Sequence, residues 1–248
     1  MSKMNAQDLI LKSKYTITSA DTDMLSRLKL SSLVNNLIQT AITSAEKLDL
    51  GLSALKRENL FWVLNRLTLE IFRPIRWGET IEVETWPKNI ERVFFLRDFI
   101  VRDSAGEIVA KATSAWLSID FKSKRPKTLK GEKMEEIIQL KDNHALNYSP
   151  LKLGEIEKKS SRLITPSYFD IDLNKHVTST RYIDWMMDNF TLDFHKRNYP
   201  KHLSVNYMKE TMCDETIELT HQNGDLDHAF EGYNQSQDKI AFRGKIEF

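Results

Sequence analysis

The stretch FDIDLNKHV, residues 169–177, places Asp170, Asp172, Asn174 and His176 on alternate positions. Directly after it, TSTRYIDWMMD carries Tyr182, Trp185 and Met186 at helical spacing, so the polar run ends where an amphipathic helix begins. Carboxylates, an amide and an imidazole are the groups that move protons and hold reacting carbonyls. In the first turn of a helix the N–H groups are unpaired and the macrodipole favours negative charge, which suits an oxyanion forming on an attacked carbonyl. The plainer readings are local. Asp170 and Asp172 also fit the capping of a helix entry, and His176 also fits a core histidine. A metal site would need further His or Cys at ligand spacing, and none is near, so no metal is expected. The chain has no G-x-S-x-G elbow and no glycine-rich phosphate loop, which leaves serine acyl transfer and ATP- or NAD-dependent chemistry unsupported; no cofactor is expected. Cys213 is the single cysteine, so no intrachain disulfide can form. As a thiol partner for His176 it is a weaker candidate than as inert packing.

Composition narrows the class. Hydrophobic residues make up 41% and charged residues 29% of 248 positions, with a net charge of +1, which describes a soluble globular chain without a global field for nucleic acid or membrane. No apolar run reaches the length of a signal peptide core or a membrane span, and the expected location is cytoplasmic, without membrane insertion.

A repeat organises the rest. SADTDMLSRLKLSSLVNNLI (19–38) aligns with SYFDIDLNKHVTSTRYIDWM (167–186), pairing Asp21 and Asp23 with Asp170 and Asp172, and Leu28 with Val177. Downstream, GETIEVE (78–84) matches DETIELT (214–220), and GEIVAKA (106–112) matches DKIAFRG (238–244). Each half reads as a short strand (14–19; 160–165), one long helix (about 26–48; 177–195) and a series of alternating strands, an α+β arrangement made twice. The boundaries expected are 1–130 for the first domain, 131–157 for a charge-rich linker with a short helix at 132–140, and 158–248 for the second domain. At the positions of Asn174 and His176 the first half has Leu25 and Arg27. Residues needed only for the fold would be expected in both copies, so this asymmetry favours chemistry for Asn174 and His176.

With these residues in view, DIDLNKHVTSTRYIDWMMD resembles the signature of the acyl-acyl-carrier-protein thioesterases, in which Asp, Asn and His alternate ahead of a helix bearing Tyr-Ile-x-Trp. ENLFWVLNRLTLEIFRPIRWGETIEVETWP and RVFFLRDFIVRDSAGEIVAKATSAWLSID look like that family's first-half strands, so the resemblance runs from about residue 13 to the end. It implies two tandem hot-dog domains, each an antiparallel sheet wrapped round one long helix, with the acyl-chain pocket in the first and the catalytic residues in the second. It also implies a place in fatty acid biosynthesis and catalytic roles for Asp172, Asn174, His176 and Glu210. In plant members a cysteine follows that glutamate; here Thr211 does, and Cys213 comes two places too late. Water attack is therefore the expected mechanism, with Glu210 as general base, Asn174 and His176 holding the water or the carbonyl, and Asp172 orienting one of them. The partner implied is acyl carrier protein, which is acidic. Residues 122–130 with Arg92, Arg97 and Arg102 form a candidate docking face, although a solvated linker explains the same lysines. Association into a homodimer is compatible with the fold type. The rival readings are a hot-dog thioesterase for acyl-CoA, a hot-dog hydratase or dehydratase, and a non-catalytic acyl-binding module.

Overall fold

The computed structural model describes residues 5–129, 132–157 and 160–248. Its strands are β1 (Leu11–Thr16), β2 (Leu60–Ile71), β3 (Thr80–Glu91), β4 (Phe94–Arg102), β5 (Ile108–Asp120), β6 (Ser160–Ile164), β7 (His202–Tyr207), β8 (Ile217–Gln222), β9 (Asp227–Asn234) and β10 (Lys239–Glu247). They form one sheet in the order β1-β3-β4-β5-β2-β7-β10-β9-β8-β6, with every pairing antiparallel. Read outward from the β2–β7 seam, the two halves have the same strand order. The tandem repeat is thus folded about a pseudo-twofold axis at the seam, where Arg66 pairs with Asn206 and Glu70 with His202.

The helices are α1 (Leu30–Lys47), α2 (Leu52–Arg57), α3 (Glu132–Ile137), α4 (Ser179–Met187) and α5 (Leu192–Arg197). Leu33, Val34 and Leu37 of α1 share one core cluster with Tyr182, Ile183 and Met186 of α4, so the sheet wraps both helices on one face. Gly244 on β10 allows α4 to come this close, since a Cβ there would lie 2.1 Å from Met186 Sδ.

Both long helices differ from the sequence expectation. α1 starts at Leu30 rather than near residue 26, because Ser26 is left-handed (φ 58°) and belongs to a turn. The expected helix at 177–195 is two. Asn189 Nδ2 donates to the carbonyls of Trp185 and Met186, ending α4, and Thr191 then caps α5 by accepting from Phe194 N at 3.2 Å. Among the described residues, no helix is long and apolar enough to cross a membrane.

The segment after β5 crosses the outer face of the sheet. Arg97 faces α1, so Asp98, next on the strand, faces outward; yet it is fully buried, accepting from Ala145 N at 2.7 Å and pairing with Lys88 Nζ at 3.1 Å. Lys88 also donates to Leu146 O at 2.6 Å. Farther along, Asn206 accepts from Leu153 N (2.7 Å) and donates to Leu151 O (3.0 Å), while Arg243 donates to Leu153 O (3.2 Å). The strap thus bolts the first half to the second. Burial raises the pKa of Asp98 against the opposing pull of Thr113, Ala145 and Lys88. Asp98→Ala should leave the Lys88 ammonium buried without its counterion and cost about 3–5 kcal/mol, seen as a fall in the urea midpoint. A loss below about 1 kcal/mol would mean that the strap is held by its other bonds.

Candidate functional site

The polar run forms a tight turn ahead of α4, and the first half contains the same turn with the same main-chain bonds. Asp172 Oδ1 accepts from the N–H groups of Asn174 (2.8 Å) and His176 (3.2 Å); Asp23 Oδ1 accepts from those of Leu25 (2.8 Å) and Arg27 (2.9 Å). Lys175 (φ 66°) and Ser26 (φ 58°) occupy the same left-handed position. Asp170 accepts from Ser167 N at 2.7 Å and Asp21 from Thr18 N at 3.0 Å, and Asp170 is further paired with Arg181 Nε at 2.6 Å. Val177 N donates to Thr211 O (2.8 Å) as Leu28 N does to Ile75 O (2.7 Å). Asp170 and Asp172 therefore build the frame in which the other polar residues stand.

What differs between the copies is the side chains that the frame presents. In the first half Arg27 is buried, donates to the carbonyls of Asn198 (3.1 Å) and His195 (2.8 Å), and stacks on Tyr199. It joins the first-half turn to α5. In the second half, the amide of Asn174 and the imidazole of His176 make no hydrogen bond to the described residues, and Asn174 is exposed. A bridge between His176 and Met212 lays the turn against the loop that contains Glu210. Glu210 occupies the place of Pro74 in the first half. Partial burial pushes its pKa up, but the hydrogen bond from Lys209 Nζ (2.7 Å) and the charges of Lys209 and His176 bring it below the usual carboxylate range, so it is an anion at neutral pH. The structure therefore brings His176 beside the Glu210 loop, with Asn174 two residues before it on the same Asp172-held turn.

Glu215, which sequence reasoning missed, holds the Glu210 loop. It accepts from Met212 N (2.8 Å), Asn234 Nδ2 (2.8 Å) and Gln237 Nε2 (2.9 Å), and Gln237 also donates to Glu210 O. Its counterpart Glu79 accepts from Arg76 N at 2.8 Å, so the signal was the match of GET with DET. Two expectations are corrected. The N–H groups of Val177 and Thr178 are not open to a carbonyl oxygen, because they donate to Thr211 O and Asp170 O and α4 begins at Ser179. Arg97 is not a surface cation: it is 9% exposed and donates to Ser44 Oγ and Thr85 Oγ1. Arg92 and Arg102 flank opposite ends of β4, so they do not share one patch, and Lys130 lies outside the described residues. Cys213 aligns with Trp77; its Sγ lies 3.8 Å from Pro166 O, and partial desolvation with the Asp214 carboxylate pushes the thiol pKa up. Among the described residues, no group of three or more His, Cys, Asp or Glu is arranged to hold a metal ion.

A cavity of about 90 Å³ lies between α1, α3 and the first-half strands, walled by Ala41, Ala45, Trp62, Arg97, Trp116 and Ile138 among others. Trp62 of that wall lies on β2, the first-half strand of the seam. Tyr207, at the end of β7 and three residues before Glu210, accepts from Asn65 Nδ2 at 2.9 Å, and Trp62 stands three residues before Asn65 on β2.

Two sheet halves wrapped round paired helices, with a polar site in one and a cavity in the other, define a double hot-dog protein. The N-terminal domain model of the acyl-ACP thioesterases matches residues 8–137 and the C-terminal domain model matches residues 153–248; the chain belongs to this family. It is similar to an acyl-ACP thioesterase from Bacteroides thetaiotaomicron (25% identity, 99% of this chain and 100% of that one, TM-score 0.87). It shares its fold with the 12:0-ACP thioesterase of Umbellularia californica (22% identity, 96% of each chain, TM-score 0.83). Among curated relatives, the chloroplastic acyl-[acyl-carrier-protein] hydrolase FATB1 of Cuphea viscosissima is 26% identical over 223 residues, 85% of this chain and 53% of its own length. The chain thus spans about half the length of that relative.

The duplicated frame makes a paired prediction. Asp172→Ala should cost about 1–3 kcal/mol of stability, the value of charge-assisted bonds to main-chain N–H groups, and Asp23→Ala at least as much because it also takes the carboxylate partner from buried Arg27, as measured by denaturant unfolding. Below the melting range only Asp172→Ala should lower turnover, and equal losses of turnover in both would remove the distinction between the two turns.

Proposed function

We propose that the chain hydrolyses the thioester of a fatty acyl-acyl carrier protein, releasing free fatty acid and carrier protein by direct attack of water. The observation that carries this reading is the asymmetry of a symmetric frame: Asn174, His176 and Glu210 replace Leu25, Arg27 and Pro74 on otherwise matching turns. Among the described residues the side chains of Asn174 and His176 make no hydrogen bond, and Glu210 pairs only with the neighbouring Lys209, so all three are available to substrate.

In the step, the oxygen of a water bonds to the thioester carbon, the C–S bond breaks, and the water proton passes through the enzyme to the departing sulfur. Glu210, anionic beside Lys209, takes the proton; Asn174 and His176 hold the water and the carbonyl oxygen; Asp172 fixes both through their main chain. Positioned proton transfer contributes ~10² to 10⁴ in rate. Thr211 follows Glu210 and Cys213 is turned to Pro166, so no thiol is assigned a role. The acyl chain occupies the cavity beyond Trp62 and Trp116. At the same end of the sheet, Arg92 follows β3 while Lys122, Lys124, Arg125 and Lys127 follow β5, a basic rim suited to an acidic carrier.

Thiol release from matched acyl-carrier-protein and acyl-CoA panels tests the reading. The carrier substrates should be preferred, Glu210→Gln should lower kcat by ~10² or more, and Cys213→Ser should leave it almost unchanged. Loss of turnover in Cys213→Ser would replace water with a thiol nucleophile, and no release from either panel would remove the hydrolase reading.

A further inference from the structure

The cavity assigned to the acyl chain is walled mainly by apolar side chains, with Asn89 and Arg97 the polar residues of its lining. Arg97, nine-tenths buried on β4, contributes to its wall. Among the described residues its guanidinium donates, from one nitrogen, to the hydroxyls of Ser44 (2.9 Å) and Thr85 (3.3 Å), and no carboxylate pairs with it. A buried cation without a counterion is costly and persists where something offsets the cost.

The repeat shows what the fold does when this space is not used. Thr85 pairs with Phe99 across β3–β4, and His221 pairs with Phe230 across β8–β9, which sets His228 at the register position of Arg97 and His221 at that of Thr85. There the two imidazoles bond to each other at 3.2 Å, and Phe190 and Phe194 pack on His228, at the sequence-equivalent places of Ala41 and Ala45 on α1. Burial lowers both histidines, His221 to about 4, so the filled half is neutral at this spot near pH 7. The half with small residues and open space instead has a guanidinium, which burial brings only to about 10. Charge is retained where a ligand can reach it.

Distance places the meeting point. From β7, whose end leads to Glu210, the sheet runs through β2 and β5 to β4, three strand spacings or about 14 Å. We infer that Arg97 selects acyl groups carrying a hydrogen-bond-accepting oxygen, a hydroxyl or a carboxylate, at the end remote from the thioester. This rests on the hydrolase reading only for the direction in which the chain enters. The guanidinium donates to that oxygen with its unused N–H groups, and a terminal methyl in the same place leaves them unbonded.

The test is a binding measurement that does not depend on turnover, read from the fluorescence of Trp62 and Trp116 in the cavity wall. The probes are unreactive S-alkyl pantetheine thioethers with a twelve-carbon chain ending in methyl, hydroxyl or carboxylate. At least one oxygen-ended probe should bind tenfold or more tightly than the methyl-ended one. Arg97→Met should abolish that preference and Arg97→Lys should retain part of it. Equal or weaker binding of both oxygen-ended probes by the wild-type chain, or no binding of any probe, overturns the inference even if thiol release establishes the hydrolase. The wild-type comparison alone decides if Arg97→Met does not fold.

Discussion

The site depends on one carboxylate oxygen. Asp172 Oδ1 accepts the N–H groups of both Asn174 and His176, and in doing so folds an otherwise extended run of alternating polar residues into a turn. Without that oxygen, two main-chain donors of the turn lose their acceptor and the two residues lose the bonds that fix their backbone. The turn is tied in turn to the Glu210 loop by Val177 N on Thr211 O, and that loop is held by Glu215. Proton chemistry needs such rigidity, because a donor or acceptor displaced by about 1 Å loses most of its effect.

Duplication separates what the frame requires from what it presents. Both copies contain the aspartates, the left-handed residue and the bracing glutamate, since each meets a main-chain need common to both halves. The variable positions have diverged in opposite directions. Arg27 is spent on joining the turn to α5, and Pro74 removes a charge, whereas the His176 imidazole makes no hydrogen bond to the described residues and Glu210 pairs with Lys209. Space has diverged too: Phe190 and Phe194 fill in the second half what Ala41 and Ala45 leave open in the first. One half therefore contains the polar groups and the other the cavity, and the antiparallel β2–β7 seam joins the two halves in one sheet.

Much of this was legible in the sequence. Period-2 alternation gave the strands, and the spacing of Leu33, Val34 and Leu37 gave α1, because those patterns follow from one buried face. The asymmetry at Leu25/Asn174 and Arg27/His176 is visible in the sequence alone, and it singles out the side chains that the structure leaves without a hydrogen bond among the described residues. Tertiary facts were not legible. That Arg97 turns inward while Arg92 stays on the rim depends on the phase of β4 against α1, and a charged residue on a strand reads as outward-facing by default. The strap over Asp98, Asn206 and Arg243 was equally hidden, since its anchors are main-chain groups that no composition reports. The break between α4 and α5 was hidden too, since the capping bonds of Asn189 end the helix although the apolar spacing continues.

The most direct measurement of the central claim is to return the site to its structural twin. The double substitution Asn174→Leu/His176→Arg gives the second turn the residues that the first turn already carries, with the Asp172 frame intact. The account predicts a melting temperature within a few degrees of the wild type together with a fall of ~10² or more in thiol release from acyl-carrier protein. A chain that melts far lower, or one that still turns over at the wild-type rate, would show that Asn174 and His176 serve the fold rather than the chemistry.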